Sequence, residues 1–196
     1  MIGPPTTSLS RRALERSIGA LAIALAVAGM ATSGAGAGKG ARTLRLDIAR
    51  CNGADQAAAP LAVQEQAIAC LVNAARRQTG RAPLATPSKL RRAATIKGRR
   101  VVSCADFSHT PCGSSPTAAI RAARYRYGWF GENIFAGTWG QFTPRDVVEC
   151  WLASATHRAN ILRRTFSVLG ASRVRAEGVF GEPETAVWVA TFASPR

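Results

Sequence analysis

The 196-residue sequence predicts an α+β fold in which helices precede a small antiparallel sheet. Between residues 63 and 153, apolar side chains recur at helical spacing and capping signals stand before several of the runs. After Leu162 the pattern changes, and residues 166–174 and 186–192 are typical of strands. Glycine and proline between them, in residues 175–185, predict an antiparallel hairpin with a long loop.

The first two helices are predicted from apolar spacing and from one capping signal. The first run begins at Val63, and Gly80 is expected to end it. Thr86, followed by a proline, predicts the start of the second helix, which Gly98 weakens in the middle. Four arginines of this helix are expected to face water: Arg91, Arg92, Arg99 and Arg100.

A second serine or threonine followed by proline predicts a third helix. Ser115 is the capping candidate, Ile120 and Tyr127 are expected to face inward, and Gly128 is expected to end the helix. Residues 131–140 are typical of an extended segment followed by a loop.

The fourth helix is predicted by a different capping signal. Thr143 and Asp146 have the spacing of a capping box, in which each side chain bonds the backbone N–H of the other residue. They predict a helix from Val147 to about Ala153.

The N-terminal end is predicted to be an export signal. A basic start precedes an apolar stretch of thirteen residues, 18–30, and small residues at 35–37 suit a cleavage site. Thirteen residues are fewer than the roughly 20 that span a bilayer, so no transmembrane segment is expected after cleavage. We therefore divide the chain into a signal peptide (1–37), an N-terminal arm (38–62) and one domain (63–196), and expect a secreted, extracellular monomer. Residues 10–14 resemble a twin-arginine signal, which leaves the general secretory and twin-arginine routes both open.

The charge favours anionic surroundings. The chain carries +15, and subtracting the three arginines and one glutamate of the predicted signal leaves +13. Such a charge suits an anionic cell-surface or wall component, although solubility and an arginine-rich composition explain it equally well. Nucleic acid is not favoured, because no compact basic block with interleaved aromatic residues is present.

The cysteines of an exported chain predict disulfides with one thiol left over. Cys104 and Cys112 flank His109 and would fix its loop, while Cys51 would join the N-terminal arm to Cys70 on the first helix. Cys150 remains as the free thiol, expected to be buried and inert on the apolar side of its helix.

Two histidines and two glutamates are the candidate site residues. His109 and His157 are the two histidines of the chain, and Glu132 and Glu149 stand between them. On one unbroken helix, Glu149 and His157 would lie about 12 Å apart along the axis. Residues 154–156 (SAT) interrupt the helical pattern, however, and a hydroxyl there could cap a new helix, so a corner could bring the two side chains together. Glu132 could equally accept backbone N–H groups and fix its own loop.

Four segments together resemble the CAP superfamily of cysteine-rich secretory, antigen 5 and pathogenesis-related proteins, and especially its single-domain bacterial secreted members. They are residues 70–76 (CLVNAAR), 107–110 (FSHT), 131–134 (GENI) and 151–162, which ends in HRANIL. The resemblance covers roughly residues 63–194. It implies an α–β–α sandwich with a central antiparallel sheet between helical layers, and it implies that His109, Glu132, Glu149 and His157 form the family's tetrad.

The sequence departs from the family pattern in two places. Residues 97–100 replace a stretch that is often acidic in bacterial relatives, and residues 169–174 lack the usual run of glycine and valine. Neither departure is expected to touch the tetrad.

The tetrad could hold a metal. Two neutral imidazoles suit Zn²⁺ or another divalent metal, and the resemblance implies His109 and His157 as ligands with Glu132 and Glu149 as second-shell or water-linked partners. Two protein ligands predict weak binding. A metal-activated water with Glu132 or Glu149 as base would give a metal-dependent hydrolase of peptides or cell-wall polymers. The sequence contains neither a His-Glu-x-x-His helix nor a Gly-x-Ser-x-Gly elbow.

The aromatic residues around Glu132 favour a binding or interaction module over an enzyme. Five of them flank this segment and could line a site for an apolar or sugar-like ligand, or belong to the core: Tyr125, Tyr127, Trp129, Phe130 and Trp139. If these residues belong to the core, Trp129 is expected to lie buried beneath the loop, as a plug. The resemblance adds a lipid or sterol-like ligand and a protein partner as candidates.

Overall fold

The computed structural model describes Leu46 and residues 51–196. The predicted signal peptide, and the arm apart from Leu46 and residues 51–62, lie outside the described residues. The helices are α1 (Leu61–Gln78), α2 (Ser88–Ser103), α3 (Ala118–Ala122), α4 (Pro144–Ala153) and α5 (Ala155–Leu162), and the strands are β1 (Tyr127–Thr138), β2 (Val168–Val179) and β3 (Glu182–Pro195). The fold class is α+β, as predicted.

The strands form an antiparallel sheet in the order β1-β3-β2, with β3 in the centre. Side chains of β3 alternate between two helical layers, because successive residues of a strand point to opposite faces. Trp188 and Phe192 pack in the core formed with α1, α4 and α5. Val187 and Val189 pack with α2 on the other face. The sheet between two helical layers is the α–β–α sandwich that the resemblance implied.

The hairpin differs from the prediction of a long loop. β2 extends to Val179 and β3 begins at Glu182, so Phe180 and Gly181 alone join the two strands. Both residues have positive φ, +57° and +77°, as a two-residue type I′ turn requires. The glycines therefore mark a tight turn, and Pro183 lies inside β3, next to the turn.

Three helix boundaries differ from their predictions. Neither Thr86 nor Ser115 is an N-cap: α2 begins at Ser88 after Pro87, and α3 begins at Ala118 after Thr117. α3 is also shorter than expected and ends at Ala122, so Tyr127 lies in β1. At the start of both α2 and α3, the proline precedes the helix instead of occupying its first position.

The start of α4 confirms the capping box. The Thr143 side chain accepts from the backbone N–H of Asp146, and the Asp146 carboxylate accepts from the backbone N–H of Thr143. α4 consequently begins at Pro144, three residues before the predicted start.

Gly98 contributes to packing between α2 and the sheet. A Cβ at this position would lie 2.7 Å from a methyl group of Val174. The absence of a side chain lets the middle of α2 approach β2, which offsets the low helix propensity of glycine. Arg91, Arg92 and Arg99 are exposed, as expected, whereas Arg100 is half-buried.

Candidate functional site

Glu132 lies at the centre of the candidate site, on β1 next to the central strand. It pairs with Thr191 in the sheet register, and 3% of its side chain is exposed. Gly131 before it lies against the Phe166 ring and Asn160, where a Cβ would come within 3 Å of both. A larger residue at position 131 would displace the Phe166 ring and the Asn160 side chain, so glycine lets β1 pass this close to α5.

His109 reaches Glu132 from the loop between α2 and α3. Its Nδ1 lies 2.8 Å from Oε1 of Glu132, and half of its side chain is exposed. In the neutral form, an Nδ1–H donated to this carboxylate leaves the lone pair on Nε2, which is the tautomer that carboxylate-oriented histidine ligands adopt. Glu132 thus orients His109.

The loop that carries His109 is fixed by a disulfide. Cys104 at the end of α2 is joined to Cys112 in a short 3₁₀ turn, with their Cα atoms 5.6 Å apart. The other expected disulfide, Cys51–Cys70, joins the segment before α1 to α1 itself. Both pairings are those expected from the sequence.

Replacing Cys104 and Cys112 with serine should loosen the loop without unfolding the domain. The lost cross-link closes eight residues, and chain entropy assigns about 2–3 kcal/mol to a loop of that size. We expect urea denaturation to show a loss of this order, and two-dimensional NMR to show His109 signals broadened by exchange. Sharp, unshifted His109 signals in the serine variant would contradict the orienting role of the disulfide.

His157 enters the site from α5, after the corner predicted at residues 154–156. Ser154 is the N-cap residue of α5 by position, although its side chain makes no capping hydrogen bond. Burial lowers the pKa of His157, and the neighbouring His109 lowers it further. The neutral imidazole, which is the form that binds a metal, is therefore favoured at neutral pH.

Two asparagines connect the Glu132 segment to α5. The Asn133 side chain donates to the carbonyl of His157 at 3.1 Å, and Asn160 donates to the carbonyl of Glu132 at 3.2 Å and to the Asn133 side chain at 2.9 Å. Asn160 thus bonds a strand 28 residues away. This network sets where His157 lies relative to Glu132.

Glu149 lies apart from these contacts. Its side chain is 52% exposed, and its Oε1 lies 3.6 Å from the guanidinium of Arg145, one turn earlier. Within residues 51–196 and Leu46, no three His, Cys, Asp or Glu side chains are grouped as a metal would need. The structure brings His109 to Glu132 and places His157 near His109, but it does not place Glu149 against them.

Lys97 is a site residue that sequence reasoning missed. Residues 97–100 were not expected to touch the tetrad, which is wrong for Lys97: 3% of its side chain is exposed, and its Nζ lies 2.9 Å from Oε1 of Glu132. The same ammonium donates to the carbonyl of His109 at 2.5 Å. The position of Lys97 on the inner side of α2, four residues after Ala93, was the available signal.

Two further side chains lie differently from their predictions. Cys150 is exposed, not buried. Partial burial of its thiol, with Asp146 and Glu149 nearby, raises its pKa and so favours the protonated form. Trp129 is 60% exposed and is not a plug beneath the loop.

Comparison with known families assigns the domain. The CAP model, described as the cysteine-rich secretory protein family, matches residues 70–192. The chain belongs to the CAP family. This CAP domain is 30% identical over 132 residues to the uncharacterized protein YkwD of Bacillus subtilis, a match that covers 67% of the chain and 50% of YkwD. The chain therefore spans about half the length of that relative.

Solved structures share the fold of this CAP domain. An extracellular protein of Bacillus anthracis that contains an SCP domain superposes with a TM-score of 0.58 at 20% identity, over 68% of this chain and 41% of that one. An outer surface protein of Borrelia burgdorferi gives 0.57 at 16% identity, over 66% and 90%. A cysteine-rich secretory protein of Staphylococcus aureus gives 0.55 at 16% identity, over 70% and 40%.

Proposed function

We propose that this CAP domain is an extracellular binding module that takes a divalent metal ion, Zn²⁺ or a similar ion, at His109 and His157. The observation that carries the proposal is the 2.8 Å contact between Nδ1 of His109 and Glu132. It directs the proton to Nδ1 and leaves Nε2 of His109 as a donor to metal. The lowered pKa of His157 favours a second neutral imidazole beside it.

Two imidazole donors would make a weak, exchangeable site. Imidazole nitrogen is a preferred zinc ligand, and dedicated catalytic zinc sites commonly use three protein ligands. Oε2 of Glu132 is buried and has no hydrogen-bond partner among the described residues, so it is a further polar atom at the site. A bound divalent ion would supply a Lewis acid and an attachment point for an oxygen ligand.

Charge and location support a partner at the cell envelope. The chain carries +15, and α2 contributes exposed basic residues without any acidic one. An anionic wall or surface component is therefore the favoured partner, with a lipid or protein ligand as further candidates. The fold resemblance to extracellular and outer-surface proteins supports secretion. No helix in the part of the chain described by the structure is long and apolar enough to span a membrane.

Metal-dependent hydrolysis is the less supported alternative. A general base must reach the attacking water, whereas Glu132 is almost fully buried and contacts both Lys97 and His109. Glu149 is exposed and faces Arg145. These contacts suit a residue that positions others better than one that moves a proton.

Calorimetric titration of Zn²⁺ into the purified protein tests the proposal. We expect one ion per chain and a dissociation constant at least about tenfold weaker in His109→Ala and in His157→Ala, because each removes one of two ligands. Glu149→Gln serves as the matched control and should bind within about threefold of the parent protein. Equal affinity in the parent and both histidine variants, or no binding by the parent, would contradict the proposal.

A further inference from the structure

Charged side chains are distributed unevenly between the two helical layers. Between positions 66 and 131 the sequence has a single acidic residue, Asp106. The other described acidic residues lie at or just before α1, on β1, on α4 or in the β2–β3 hairpin. Apart from the buried Lys97, and Arg91, whose charge acts on Glu65 of α1, seven basic residues occupy α2, α3 and the segment between α3 and β1. They are Lys89, Arg92, Arg99, Arg100, Arg121, Arg124 and Arg126, and we call them the basic surface.

The charges of the basic surface are not neutralised within the fold. None of its members forms an ion pair with another described residue, whereas Arg145 and Arg175 elsewhere in the fold do. A charge that served solubility alone could be spread over both layers. Concentrated on one layer, it creates a positive potential that attracts polyanions.

The basic residues of α2 and α3 border the same seam. Ile96 on α2 and Ile120 on α3 pack in one hydrophobic cluster, so the two helices meet at these residues. Arg92 and Arg100 lie one turn before and one turn after Ile96, because residues four apart are neighbours on a helix surface. Arg121 follows Ile120 directly. The basic side chains of both helices therefore flank one seam and form a continuous surface.

Arg124 stands where the backbone favours glycine. It follows Ala123, the C-terminal cap of α3, and its φ is +55°. The backbone N–H of Tyr125 bonds the carbonyl of Ile120 at 3.2 Å, and that of Arg124 bonds the carbonyl of Arg121 at 2.9 Å, which together make a Schellman motif. A side chain in this left-handed conformation costs free energy that glycine would not. No hydrogen bond or ion pair of the Arg124 guanidinium with the described residues offsets that cost, which points to a role in binding.

We propose that the basic surface binds a linear polymer of the cell envelope whose backbone is a chain of phosphodiesters. Six of its seven members are arginines, and a guanidinium holds phosphate oxygens through two parallel N–H bonds. Successive phosphates of one polymer can contact several arginines at once and release their counterions, as a single small anion cannot. This inference rests on the proposed function in that it specifies the anionic envelope partner, but it does not require the metal.

The exposed side chains of this surface favour a polymer over a bilayer or a nucleic acid. The fully exposed residues of α2 and α3 are polar, charged or alanine, so neither helix offers a large apolar side chain to a lipid layer. Tyr125 and Tyr127, which alternate with arginines, pack against the cluster beneath and do not stand free to stack on bases. Trp129 is 60% exposed three residues after Arg126, and its flat ring can cover a sugar or polyol unit.

Calorimetric titration with poly(glycerol phosphate) in a buffer containing a metal chelator tests the inference. Vesicles of phosphatidylglycerol in phosphatidylcholine offer the same phosphodiester chemistry on a bilayer, and a DNA duplex offers it on a nucleic acid. We compare the parent with Arg124→Gly and with Arg77→Met, which removes one exposed charge from α1 in the other layer. Thermal denaturation reports the stability of each variant.

We expect R124G to bind the polymer at least about threefold more weakly, and its affinity to depend on salt with a slope smaller by about one, because one phosphate contact is lost. Its Tm should nevertheless rise by about 2–4 °C, since glycine relieves the left-handed strain. R77M should bind within about 1.5-fold of the parent. Adding Arg92→Gln and Arg121→Gln to R124G should weaken binding at least about tenfold.

Four results would overturn the inference. They are a parent that does not bind the polymer, equal binding by the parent and the triple variant, tighter binding per phosphate to the vesicles or the duplex, and an R124G protein less stable than the parent. The last result would make Arg124 a structural residue. Because the chelator removes divalent ions, each of these failures leaves the proposed metal site untouched, and a protein that binds no Zn²⁺ leaves this inference standing.

Discussion

Gly170→Ala should lower the free energy of unfolding by about 3 kcal/mol, the upper end of the usual range for overpacking. The backbone of α2 lies directly on Gly170 of β2, and an alanine Cβ would come within 2.1 Å of the Leu90 carbonyl carbon and 2.4 Å of the Arg91 nitrogen. Backbone atoms in the first turn of a helix cannot rotate away as a side chain would. Urea denaturation monitored by circular dichroism measures the loss.

Gly128→Ala is the matched control for this prediction. It lies in β1, and a Cβ there would meet the Ser194 hydroxyl at 3.1 Å, with no backbone atom closer than 3.6 Å. We expect it to change the free energy of unfolding by less than about 1 kcal/mol. A Gly170→Ala protein as stable as Gly128→Ala would mean that α2 does not lie on β2 as described.

Arg76→Met should cost a similar amount, about 3 kcal/mol, by leaving buried carbonyl oxygens without donors. Arg76 is 1% exposed, and its guanidinium donates to four backbone carbonyls: two at the end of α5, one just before β2 and one in the loop after α1. These are the carbonyls of Ala82, Ile161, Arg163 and Phe166, at 2.7–3.3 Å. The side chain therefore stabilises the C-terminal end of the helix that carries His157.

Arg77→Met provides the comparison, because Arg77 is exposed on the same turn of α1. It should leave the free energy of unfolding within about 0.5 kcal/mol of the parent. Arg76→Lys should recover little of the loss, since one ammonium cannot match the planar fork that reaches four acceptors. Thermal denaturation of the three variants measures these differences, and an unaffected Arg76→Met protein would refute the anchoring role.

Local signals predicted much of the fold and part of the site. The capping box at Thr143 and the corner before α5 depend on neighbouring residues, and both are present. The approach of His109 to Glu132 followed from motif positions within the family resemblance. The capping box and the corner are encoded within a few residues, so a single sequence reveals them, whereas the contact between His109 and Glu132 joins residues 23 apart and was implied by the resemblance.

The features that sequence analysis missed depend on contacts between distant segments. Arg76 and Lys97 have the sequence context of surface residues, and their acceptors come from other elements of the fold. The exposure of Cys150 depends on how α4 lies in its layer, because Trp151 next to it is buried. The tight hairpin was obscured because glycines and a proline are common to long loops and short turns.

Imidazole ¹⁵N NMR during a Zn²⁺ titration is the most direct test of the metal site. We expect His109 to carry its proton on Nδ1 before metal is added, because its Nδ1 contacts the Glu132 carboxylate. On titration, Nε2 of His109 and one ring nitrogen of His157 should shift together and saturate at one ion per chain. A shift of one histidine alone, or a His109 protonated on Nε2 with Nδ1 facing the metal, would contradict the proposed metal site.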